Sequence, residues 1–257
     1  MSRFLVLAYL FCIGSMGGWV LELLFRRFIS SNNPERKWIN PGFLTGPYVP
    51  LYGSGLCILY LLASLERFLP AEHLALGRAA LFLAMAAAMT LIEYLAGIFL
   101  LRFAHLRLWD YSSLRGNVNG LICPLFSLIW AAMGAAYYFL LYPATLRALG
   151  WLARNLAFSF FIGMFFGVFA VDLAHTMGLA GRLRKFALEH DVIVRYEVLK
   201  AAVRRGNEEA KERVRFLFVF RSAKPLREIL ERSQSGEAGL PGLDQILEPI
   251  RKRIRRT

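Results

Sequence analysis

Acidic residues are scarce in this chain: 18 Asp and Glu stand against 31 Lys and Arg over 257 residues, a formal net charge of +13. Cysteine is scarcer still. Cys12, Cys57 and Cys123 lie inside apolar runs without a C-x-x-C spacing. That excludes a disulfide framework and a cysteine zinc site, and leaves them as small buried hydrophobes. No G-x-x-x-x-G-K-[ST] loop occurs, so this chain does not hydrolyse ATP by that route. G-x-S-x-G, H-E-x-x-H and a G-x-G-x-x-G before a helix are also missing. No catalytic residue, cofactor or metal is expected. Asp172 and His175 share a helix face, but no second ExxH or HxxH joins them, so a structural hydrogen bond from His175 to Asp172 is the expectation.

Apolar residues are abundant. They make up 57% of the chain, against roughly 45–50% in soluble domains. Five windows reach the length of about 20 residues that a spanning helix needs: 4–25, 50–68, 79–101, 121–142 and 156–179. The first lacks a small-residue cleavage site and is too long for a signal-peptide core, so it is kept as a span. Pro143 and Gly150 are expected to punctuate the fourth-to-fifth connection. The expectation is an all-α polytopic protein with a transmembrane domain over 1–180 and a basic cytoplasmic tail over 181–257.

Nineteen of the Lys and Arg residues fall at or after residue 180. That excess suits the cytoplasmic side of the inner membrane and, with five spans, places the N-terminus outside. Membrane adjacency argues against nucleic acid as the basic tail's partner. Residues from about Ala187 to Phe220 are compatible with a helix, and the simplest reading of the tail is a solvated face touching lipid headgroups.

The segment from Asn40 to Gly55 organises the rest. Three prolines and four glycines in sixteen positions exclude a plain helix. The stretch is either a surface turn or a re-entrant loop satisfied by surrounding protein. Asn40-x-Gly42-x-Leu44-x-x-Pro47 is matched at identical offsets by Asn117-x-Asn119-x-Leu121-x-x-Pro124, a candidate parallel repeat of the kind some transporters use. Each copy follows a span carrying one acid, Glu22 and then Glu93. A third acid, Asp172, lies in the last span. Such residues usually face a bundle interior or cavity. At about 1.5 Å per residue the three lie roughly 6, 13 and 15 Å inside the inner charged flanks. All are within reach of the two polar loops. Trp19 shares a helix face with Glu22. Asp110, in Trp109-Asp110-Tyr111-Ser112, is read equally as a turn cap and as a site residue. Gly14-x-x-x-Gly18 and Gly163-x-x-x-Gly167 read as faces for close helix packing.

Gly18-Trp19-x-x-Glu22, Asn40-x-Gly42-Phe43-Leu44-x-Gly46-Pro47-x-x-Pro50-Leu51-Tyr52-Gly53, Trp109-Asp110-Tyr111-Ser112 and Asn117-x-x-Gly120-x-Ile122-Cys123 together resemble a bacterial family of multispan proteins described as putative ABC-transporter type IV permeases. The resemblance implies a permease-like membrane subunit with a separate ATPase chain. Pro41 and Leu121 stand where that pattern often has a basic residue, which argues against an anionic substrate held there. The expected site for a small solute or coupling ion is an inward-facing cavity of Trp19, Glu22, Asn40, Gly42, Tyr52, Glu93, Trp109, Asp110, Asn117, Asn119 and Asp172. Five spans make a thin pathway, which suits a homodimer. A lipid-headgroup enzyme at the inner interface and a non-catalytic scaffold are the alternatives.

Overall fold

The computed structural model describes residues 2–30, 33, 36–189, 193–196 and 199–200. Its elements in chain order are α1 (Arg3–Phe28), α2 (Pro50–Ala63), α3 (Leu74–Ala104), β1 (Leu106–Arg107), α4 (Pro124–Ala136), α5 (Tyr142–Arg154), α6 (Ser159–Glu189) and β2 (Val194–Arg195). Among the described residues, four helical stretches are long and apolar enough to cross a bilayer: Arg3–Phe28, Ala71–Ala104, Pro124–Arg154 and Leu156–Glu189. The fold is therefore helical and multispan.

The window expected as the second span differs. α2 has 14 residues and gives way to a 3-10 turn over Ser64–Phe68. At about 1.5 Å per residue the α-helical part covers roughly 21 Å, short of a hydrocarbon core of about 30 Å. The loop before it packs along α1. The Val49 amide donates to the Ser15 carbonyl at 2.9 Å, and Ser15 lies thirteen residues before the end of α1. The loop thus penetrates roughly 20 Å along α1 before α2 begins. α2 then runs antiparallel to α1, with Cys57 Sγ donating to the Leu7 carbonyl at 3.3 Å.

Glycine makes that approach possible. A Cβ on Gly53 would sit 2.1 Å from Ser15 Oγ and 2.6 Å from the Phe11 carbonyl, and one on Gly18 would sit 2.2 Å from Tyr52 Cβ and Cγ. Gly14 and Gly18 therefore form the close-packing face expected of them. Gly163 and Gly167 do not: a Cβ on either would meet nothing within 4 Å. Their face of α6 points away from the bundle.

Pro143 does not stop the helix it was expected to end. A π-helical turn over Tyr137–Leu141 precedes it, and the Tyr142 amide reaches back to the Tyr137 carbonyl. Proline lacks an N–H and collides with the carbonyl four residues back; a wider turn ahead of it accommodates both. Pro143 then occupies the first turn of α5, where a missing donor costs little. Gly150 likewise lies within α5, which continues to Arg154.

α6 runs on through Gly181 to Glu189. Beyond it the chain is extended, not helical, at Val194–Arg195, where β2 pairs in parallel with β1. Val194, Tyr196 and Leu199 are buried with Ala104, Leu106 and Leu183 in one apolar cluster. A solvated face over this segment is thus corrected: its apolar side chains are withdrawn from water. The rest of the helix expected to Phe220 falls outside the described residues.

Candidate functional site

Asn40 is 2% exposed and folds its loop from within. Its Oδ1 accepts from Trp19 Nε1 at 2.8 Å and from the Gly42 amide at 3.2 Å. Its Nδ2 donates to the Leu44 and Thr45 carbonyls at 3.3 and 2.9 Å. A buried irregular backbone needs such partners, because its polar groups cannot reach water. Asn117 does the same for the second loop, donating to the Ser112 and Leu114 carbonyls and accepting from the Gly120 amide at 3.1 Å. The matched asparagines thus share a device. Their helices start out of step: Pro124 opens α4, whereas α2 opens at Pro50 and not at the matched Pro47.

Asp172 holds the first loop from the α6 side. Its carboxylate accepts from the Thr45 amide and hydroxyl, from the Gly46 amide at 2.8 Å and from the Tyr48 hydroxyl at 2.6 Å. The helical partner of Asp172 is Thr176, at 3.3 Å, and not His175. His175 is exposed. Tyr48 is wedged edge-on against Phe165 and Phe169, which fixes α6 against the loop.

Glu22 and Glu93 come together on the other side of the loop. Glu22 Oε2 accepts from the Tyr52 hydroxyl at 3.0 Å and Oε1 pairs with Arg26 Nε at 3.0 Å. Glu93 is 3% exposed. Its Oε1 accepts from the Tyr111 hydroxyl at 3.0 Å, while Oε2 is buried without a hydrogen-bond partner. Trp130 links the two halves, its ring 5.3 Å from that of Tyr52 and its indole beside the Glu93 carboxyl. Tyr111 stacks on Phe126 at 4.3 Å. Burial, and then Glu93 beside it, push the Tyr111 phenol well above its usual range, so it stays a donor.

The remaining expected residues build the second loop. Trp109 Nε1 donates to the Leu121 carbonyl at 2.8 Å. Asn119 takes a left-handed backbone, φ 55°, and donates to the Tyr94 hydroxyl at 3.0 Å. Asp110 caps its own turn by accepting from the Ser112 amide at 3.0 Å, and it also pairs with Arg107 at 2.9 Å and Arg195 at 3.1 Å. Burial alone would push the Asp110 carboxyl up. The Ser112 hydrogen bonds and the two guanidiniums outweigh it and hold it below the ordinary aspartate range.

The structure thus brings Glu22, Tyr52 and Glu93 together, joins Trp19 and Asn40 beside them, and turns Asp172 to the opposite side of the loop. Tyr111 and Trp130 complete the carboxylate pair, and Tyr196 and Lys200 touch the first loop. None of these four was among the expected site residues. The signal for Tyr111 was present in its motif, and Tyr196 falls on an apolar 3–4 spacing with Leu199; Trp130 and Lys200 carry no spacing that marks them. A separate open groove of about 480 Å³, lined by residues including Ala87, Thr90, Leu91, Tyr94 and Ile122, lies between α3 and α4. It is apolar and does not contain the carboxylates.

A family model for Putative ABC-transporter type IV proteins matches residues 9–177. The chain belongs to that family. The match takes in both polar loops, Glu22, Glu93 and Asp172, and ends inside α6 of this Putative ABC-transporter type IV protein. No curated protein and no solved structure matches the chain.

Proposed function

We propose that this protein is a permease-like membrane subunit of a transport system, in which Glu22, Tyr52, Glu93 and Tyr111 form the polar core visited by a small solute or coupling ion. The carrying observation is the buried Glu93 carboxyl near Glu22, which meets the Tyr111 hydroxyl and lies beside the Trp130 indole, with no well-formed hydrogen bond to Oε2 among the described residues. A buried polar atom left orphaned costs free energy unless a ligand, ion or proton meets it. Two acids with one paired arginine suit a cationic or neutral visitor better than an anion, which agrees with Pro41 and Leu121 in place of basic residues. Trp19, Asn40, Gly42, Trp109, Asn117 and Asn119 shape the loops around this core. Asp172 and Asp110 position those loops. With Asp110 held by two guanidiniums and Ser112, a free acid for headgroup chemistry is harder to find, which places the enzyme reading second.

The membrane unit is residues 1–180 and the basic tail 181–257. The loop and α2 together complete a fifth passage, so that the N-terminus lies outside and the tail in the cytoplasm of the inner membrane. The energising ATPase is a separate chain docking on the cytoplasmic side. A second copy would pack on the unpartnered Gly163-x-x-x-Gly167 face of α6. Mass spectrometry of the protein purified gently from native membranes tests this. A stoichiometric ATPase together with a small molecule lost in Glu93→Gln supports the reading. A bound lipid or metal without an ATPase would move the headgroup enzyme to the front.

A further inference from the structure

The segment after α6 does more than cover apolar surface. Lys200 is 2% exposed, and its ammonium donates to the Asn40 carbonyl at 2.5 Å while lying 5.0 Å from the centre of the Tyr196 ring. The Tyr196 hydroxyl donates to the Gly42 carbonyl at 3.2 Å, and its ring meets Phe43 edge-on at 5.1 Å. Arg195, between them and β1, pairs with Asp110 of the second loop at 3.1 Å. β2 is itself tied to the start of that loop, because the Val194 amide donates to the His105 carbonyl at 3.0 Å. One short segment therefore grips both polar loops, through backbone carbonyls of the first and a carboxylate of the second.

We propose that Val194, Arg195, Tyr196, Leu199 and Lys200 form an intramolecular latch that holds the two polar loops in one closed arrangement, and that the polar core between them opens when the latch lets go. A buried ammonium is costly unless it is paired, and here its pairing is to the loop that enters the bundle. Opening that loop strips the ammonium of this partner, so the closed state is favoured for as long as the segment stays seated. The segment also lies beyond the family match, which ends at residue 177. It is thus placed to regulate the matched unit. The effect on transport rests on the permease reading; the grip on the loops does not.

Hydrogen–deuterium exchange of the full-length protein in nanodiscs tests it. Lys200→Met should speed exchange of the amides in 40–46 by at least about tenfold, as expected for losing a hydrogen bond to a charged group. Because the latch is one piece, Lys200→Met should also speed exchange in 109–112, which Lys200 does not touch. Tyr196→Phe, which removes a single hydroxyl, should show the same pattern at smaller amplitude. Faster exchange confined to 40–46, or none in either variant, overturns the latch. A Phe43→Cys/Tyr196→Cys disulfide then separates the two claims. Flux that stops on oxidation and returns on reduction supports both the latch and its role in transport. If the coupled exchange is seen but flux ignores the disulfide, the proposed opening of the core is wrong while the grip on the loops remains.

Discussion

Asn40→Ala removes the four side-chain hydrogen bonds that fold the first loop: two accepted, from Trp19 and Gly42, and two donated, to Leu44 and Thr45. A buried intramolecular hydrogen bond contributes about 1 kcal/mol net, so the loop loses about 4 kcal/mol. At about 1.4 kcal/mol per tenfold, the opening equilibrium of the loop shifts by roughly a thousandfold. The Asp172 bonds to the Thr45 and Gly46 amides must break for those amides to exchange, which makes them the reporters. Exchange at Thr45 and Gly46 should rise by about three decades in Asn40→Ala, with α3 unaffected. Trp19→Phe deletes one of the four bonds and should move the same amides by about fivefold. Protection within a few-fold of wild type in Asn40→Ala would refute the view that this side chain holds the loop together.

Gly18→Ala should destabilise the α1–α2 contact by about 1–3 kcal/mol or more, because its Cβ would lie 2.2 Å from Tyr52 Cβ and Cγ, whereas Gly17→Ala meets nothing within 4 Å and serves as the control. Thermal unfolding in detergent compares the two. Asp110 has a depressed folded pKa, so its contribution is full above the unfolded value of about 3.9 and is lost as pH falls through the folded value. Exchange in 106–112 and 194–196 should accelerate as pH drops through the acidic range below that point, once corrected for intrinsic rates. Asp110→Asn should abolish the change. Gly163→Leu with Gly167→Leu should leave the monomer fold intact, since both glycines face away from the bundle, and should dissociate a dimer built on α6 as read by native mass spectrometry.

Much of this arrangement was legible in the residues. Gly and Pro density marked the first loop as irregular, and its aromatics marked it as packed: Tyr48 and Phe43 are both committed to neighbours. Counting residues from the charged flanks put Glu22, Glu93 and Asp172 within reach of the two polar loops, and each has a hydrogen-bond partner from one of them or from the start of α2. Depth along an axis says nothing about azimuth, however. Asp172 therefore faces Thr45 and Tyr48 and stays apart from the glutamates. Hydropathy windows report composition and not where a helix ends, so 50–68 read as a span although α2 closes at Ala63. Pro143 is a stop signal only if the preceding turn stays α-helical; the π turn over Tyr137–Leu141 removes the collision. Tyr196 and Leu199 fall on an apolar 3–4 spacing, but the tail's charge hid that they pack on the bundle, and pairing of β2 with β1 depends on partners nearly ninety residues apart.

Transport of a solute through the proposed carboxylate core is open to a direct test. Proteoliposomes holding the protein with any ATPase that co-purifies, incubated with a cell extract, can be profiled for their contents by mass spectrometry with and without ATP. The account predicts at least one cationic or neutral small molecule enriched or depleted inside only with ATP. It also predicts that Glu22→Gln or Glu93→Gln abolishes the change while the complex stays assembled. ATP-dependent flux that survives both substitutions, or vesicle contents indifferent to ATP, would contradict it.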